Sequence, residues 1–66
     1  MLSQNIKKFR KQRNISQEEL AKKAEITYST LIKIESGANK NPTINTLSKI
    51  SIALDTTVDK LIRGQG

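Results

Sequence analysis

Four times along this 66-residue chain a serine or threonine stands just ahead of a short run of apolar residues spaced for a helix. Ser16, Thr27, Thr43 and Thr57 hold these places. A hydroxyl there accepts a hydrogen bond from a first-turn backbone N–H, so each marks a helix start. Ser16 is the firmest, because Glu19 three residues later completes a capping box. Starts this closely spaced leave room only for short helices, and the apolar residues between them alternate poorly at period two. The chain is therefore expected to be all-α, with five short helices over about residues 3–13, 17–24, 28–35, 44–54 and 58–62.

Leu2, Ile6, Phe9 and Arg13 share one face of the first helix, which Asn14 ends by tolerating a left-handed backbone. Leu20, Ala21 and Ala24 form the inner face of the second, where the small Ala21 lets a neighbouring helix approach closely. Leu31 and Ile34 point inward from the third, and Gly37 is its natural stop. Pro42 pushes Asn41 out of helical conformation, so the stretch from Ala38 is a polar loop. The fourth helix turns Ile44, Leu47, Ile50 and Leu54 inward, and the fifth carries Val58, Leu61 and Ile62. Arg63 to Gly66 reads as a frayed tail. A single domain of this length buries only ~60% of the surface its unfolded chain exposes, so the isoleucines and leucines are needed for the core.

The chain has no cysteine and no histidine, which removes thiolate chemistry, disulfides and the commonest general base and metal ligand. Its six carboxylates are scattered, so neither a metal site, a cofactor, an enzymatic activity nor a small-molecule substrate is expected. The net charge is +6, and Lys7, Lys8, Arg10, Lys11 and Arg13 form one basic run. Such an excess points to a polyanion or an acidic membrane surface as partner. No apolar run approaches the ~18 residues of a membrane span, and no apolar signal core opens the chain. The first helix has too few apolar residues to serve both a membrane and a core, so a cytoplasmic protein without membrane contact is expected.

The third helix presents Tyr28, Ser29, Thr30 and Lys33 outward, side chains suited to base edges. Two short helices joined by a tight turn fit the DNA major groove, with the second inserted by its N-terminal turn. Tyr28, Ser29 and Lys33 are then the candidate base contacts: Lys33 donates to guanine O6 or N7, Ser29 donates or accepts, and Tyr28 uses its hydroxyl or packs on a thymine methyl. Gln17, at the start of the second helix beside free backbone N–H groups, is the candidate phosphate contact.

Taken together, Ser16-Gln17-Glu18-Glu19-Leu20-Ala21, Ile34-Glu35-Ser36-Gly37 and Asn41-Pro42-Thr43-Ile44 resemble the Cro/repressor type of helix-turn-helix domain, the XRE family. The resemblance runs from about Leu2 to Ile62 and is nearest to lambdoid phage repressor DNA-binding domains, so it implies a lambda-repressor-like fold. It implies further phosphate contacts at Thr27, Lys40, Asn41 and Thr43, and a structural ion pair between Arg10 and Glu35. It also implies a transcriptional regulator, a repressor acting as a homodimer on a palindromic operator in double-stranded DNA. Half-sites of such a dimer lie about 10 base pairs apart. The other functional class that fits is a protein-interaction module of antitoxin or antirepressor type, using the same helical surface.

Several residues keep two readings. Tyr28 reads bases or plugs the edge of the motif. Ile32, where the family usually has a polar residue, covers the first helix, meets a thymine methyl or meets a protein. Val58 and Ile62 belong to the dimer surface or to the core. Glu25 stands where the motif's turn usually has glycine, and Asp55 likewise replaces a common glycine. A left-handed backbone would strain the glutamate more.

Overall fold

The computed structural model describes residues 1–64. Its elements are α1 (Leu2–Gln12), α2 (Gln17–Ala24), α3 (Tyr28–Glu35), α4 (Ile44–Ala53) and α5 (Val58–Arg63). No strand occurs among the described residues. Each of the four cap positions acts as such. Ser16 Oγ accepts from Glu19 N, while Glu19 Oε1 accepts from Ser16 N, both at 3.1 Å. Thr27, Thr43 and Thr57 accept from the N–H groups of Thr30, Thr46 and Lys60.

Three helices end alike, each at a non-glycine residue with positive φ: Asn14, Glu25 and Asp55, all near 55°. After each, an N–H turns back onto the last helical turn, from Ile15 to Arg10 O, Ile26 to Ala21 O and Thr56 to Ser51 O. These are Schellman stops, which satisfy carbonyls that the helix leaves unpaired. Asparagine and aspartate tolerate this backbone; glutamate does not share that advantage and is strained by ~1–2 kcal/mol. Glu25→Gly should therefore stabilise the chain by up to about 1 kcal/mol, since part of the relief is offset by a floppier unfolded state. Thermal unfolding checks this, with Tm expected to rise by at most ~4–8 °C.

Ile6, Phe9, Leu20, Ala21, Ala24, Leu31, Ile34, Ile50, Leu54 and Leu61 make one buried cluster. α2 lies between α3 and α4, and α1 packs on α3 and α5. The inner face of α4 is Leu47, Ile50 and Ser51, continued by the buried C-cap residue Leu54. Ile44, expected inward, is instead 70% exposed. It sits at the edge of the inward arc on the first turn, where only a central position would reach the core. The buried Ser51 satisfies its hydroxyl locally by donating to Ser48 O at 2.8 Å.

Arg13 also departs from the inner-face reading. It is the exposed C-cap residue of α1, with its guanidinium 5.6 Å from the Phe9 ring centroid. In α5 Leu61 is the fully buried residue, while Ile62 is 57% exposed and so is not core. Arg63 and Gly64, read above as tail, are the last residue of α5 and its left-handed cap. The rest of that expected tail, residues 65 and 66, lies outside the described residues. Two side chains of α1 fix the end of α5. Asn5 Nδ2 donates to the carbonyls of Leu61 and Ile62, and Lys8 Nζ donates to Gly64 O.

Candidate nucleic-acid interface

The surface that matters is built from the N-terminus of α2, the outer face of α3 and the loop leading to α4. Its foundation is one buried carboxylate. Glu35, the last residue of α3, is 1% exposed. Arg10 Nε donates to its Oε2 at 2.8 Å and Nη2 to its Oε1 at 3.1 Å. Arg10 Nη1 donates to Ile15 O at 3.0 Å, holding the link between α1 and α2. Gln17 Nε2 adds another donor to Glu35 Oε1 at 3.1 Å. The base of α1, the start of α2 and the end of α3 thus meet on one carboxylate, and the two helices of the motif are held at a fixed angle.

The amide of Gln17 is therefore oriented by Glu35, a role that sequence reasoning missed. One of its two N–H bonds is engaged there, and its carbonyl and second N–H have no partner among the described residues. The capping box uses the N–H groups of Ser16 and Glu19, leaving those of Gln17 and Glu18 without a helical partner. A phosphate oxygen approaching the start of α2 would meet these N–H groups and the positive end of the helix dipole.

On α3 the buried residues are Leu31, Ile34 and Glu35, which turns Ser29 and Lys33 to solvent on the opposite face. Tyr28, 48% exposed, borders a shallow cleft with Ala21, Lys22 and Ile26, so it lies on the flank of α3 nearest α2. Ile32 is half-buried on α3, beside Tyr28 at helical spacing. Lys33 sits one turn after Ser29, so the two form a polar strip along the middle of the exposed face.

The expected phosphate-side residues of the loop and helix starts are all at the surface. Lys40, Asn41, Thr27 and Thr43 are exposed. The loop that carries Lys40 and Asn41 is tied to the end of α3 by Asn39, which sequence reasoning passed over. Its N–H donates to Lys33 O at 2.9 Å, and its Oδ1 accepts from Asn41 N at 3.1 Å. The threonine hydroxyls are already engaged as caps. Thr43 Oγ1 accepts from Thr46 N and donates to Thr46 Oγ1 at 3.0 Å, so the hydroxyl proton left for an anion is that of Thr46. The Thr27 and Thr30 hydroxyl oxygens also pair, 2.7 Å apart, and either can be the donor.

The helix-turn-helix family model HTH_3 matches residues 6–61. The chain is 42% identical over 62 residues to the HTH-type transcriptional regulator SinR of Bacillus subtilis, covering 94% of this chain and 56% of SinR. It therefore spans little more than half the length of that relative. It is 35% identical over its full length to the control protein C.SmaI of Serratia marcescens, covering 77% of that protein. Among solved structures, that of SinR, the master regulator for biofilm formation, in complex with DNA superposes with a TM-score of 0.90 at 42% identity. The match covers 94% of this chain and 98% of that one.

Proposed function

From the premise that this chain belongs to the helix-turn-helix family HTH_3, of Cro/C1 type, we propose that it is a sequence-specific, double-stranded DNA-binding transcriptional regulator acting as a repressor. The observation that carries the reading is the polar face of α3. Ser29 and Lys33 face solvent there, while Arg10, Gln17 and Glu35 hold that helix against the anion-ready start of α2. Lys33, Ser29 and Tyr28 read base edges in the major groove, whereas Gln17, Thr27, Lys40, Asn41 and Thr43, the last through its hydroxyl pair with Thr46, fix the register on phosphates. Repression follows from occupying a promoter and needs no catalysis or cofactor, and the protein acts in the cytoplasm.

The chain binds as a homodimer on a palindromic operator, because one module this small makes few base contacts. Ile62 supports this reading. It stands exposed at the edge of a shallow cleft shared with Leu2, Pro42 and Leu47 and flanked by Lys40 and Asn41, so a second copy on α5 would cover its apolar side. Partly buried Val58 adds area on the same helix.

Binding to a mixed-sequence duplex at rising salt tests the DNA reading. Six to ten phosphate contacts predict a ~10³–10⁵-fold loss of affinity between 50 and 200 mM salt. Affinity that hardly moves would shift the assignment to a protein-interaction module of antitoxin or antirepressor type.

A further inference from the structure

The positive charge of this protein is concentrated in one place. Five of its twelve basic residues lie between positions 7 and 13, where no carboxylate occurs, and the other seven are nearly offset by six carboxylates. The structure sorts these five by what they touch. Arg10 is committed to Glu35 and Ile15, Arg13 lies over Phe9 and donates to Asp55 O, and Lys8 caps α5 at Gly64 O. Lys7 and Lys11 make no hydrogen bond or ion pair among the described residues.

These two lysines are one helical turn apart, so their charges share a strip of α1 that also holds Gln4. Like charges at that spacing weaken a helix, so the pair does nothing for folding. Its position is informative. Lys7 precedes by one turn the Arg10 whose guanidinium reaches Ile15 and shares Glu35 with Gln17. Arg10 thus joins this stretch of α1, with Lys7 one turn before it and Lys11 next to it in sequence, to the start of α2, where free N–H groups already await a phosphate.

We propose that Lys7 and Lys11 extend the phosphate-binding track from the start of α2 onto α1, gripping the DNA backbone flanking the bases read by α3. This rests on the DNA-binding reading above and adds a contact that the helix-turn-helix itself does not supply. The contact carries no base information, so it lengthens the footprint without changing the preferred sequence.

The test compares Lys7→Gln/Lys11→Gln with Lys49→Gln/Lys60→Gln, which removes two exposed charges elsewhere. Affinity for a mixed-sequence duplex of about 30 base pairs is measured against salt. The α1 double variant should show a salt slope shallower by about 1.8 per protomer, and the control variant an unchanged slope. Thermal unfolding of both should match the parent or exceed it. Equal slopes in all three proteins, or equal losses in both variants, would overturn the proposal while leaving DNA binding intact. A parent chain with no salt-dependent affinity for duplex would overturn the DNA reading and this inference with it.

Discussion

Arg10→Ala should lose ~3–5 kcal/mol of folding stability, the largest single effect the structure predicts. Glu35 is almost fully buried, and Arg10 supplies its only charged partner among the described residues. Without the guanidinium, a carboxylate remains in the interior with one neutral donor, the Gln17 amide. A chain of this length has ~3–10 kcal/mol of stability in total, so the loss should remove a large share of it and lower the unfolding midpoint strongly. Arg10→Lys should recover little, because an ammonium cannot reach two carboxylate oxygens and the Ile15 carbonyl together. Arg10→Met combined with Glu35→Leu should recover most of the loss, since apolar replacement of both partners strands no charge. Urea denaturation of the three variants measures this. A loss below about 1 kcal/mol for Arg10→Ala would place the pair in the exposed class and remove its role as foundation.

The second large effect concerns recognition. Lys33→Ala should flatten base preference at one operator position, with a discrimination loss of ~1–3 kcal/mol there and no change in folding. Lys33 is exposed on the middle of the α3 face, and its side chain has no partner within the described residues, so stability does not depend on it. Competition between duplexes differing at single positions reads the outcome. Weakening of the same size on every sequence would reassign Lys33 to a phosphate.

What could be read in the chain divides by the distance over which its causes act. Helix starts were legible because a threonine cap and its N–H partner lie three residues apart. The strained stop at Glu25 was flagged only through resemblance to a motif that usually has glycine there, and the backbone itself, with φ 56°, decided it. Ile44 was misplaced because periodicity assigns a face but not how far that face remains covered at the end of a helix. The Arg10–Glu35 pair entered through family resemblance, since nothing local joins residues 25 positions apart. The engagement of Gln17 with Glu35 had no local signal either, and it changes how the site is understood. Glu35 orients the residue first read as a plain phosphate contact. The same limit hid Asn39, whose loop role depends on the carbonyl of Lys33 across the turn. Sorting the basic run of α1 into engaged and unengaged lysines likewise required the fold.

The most direct test of the central claim is selection of the whole chain against random double-stranded DNA at about 150 mM salt, where non-specific attraction is weak. Enrichment of an inverted repeat with half-sites about 10 base pairs apart is the predicted result. A folded protein that enriches no sequence would contradict the account, because the exposed face of α3 would then not be reading bases.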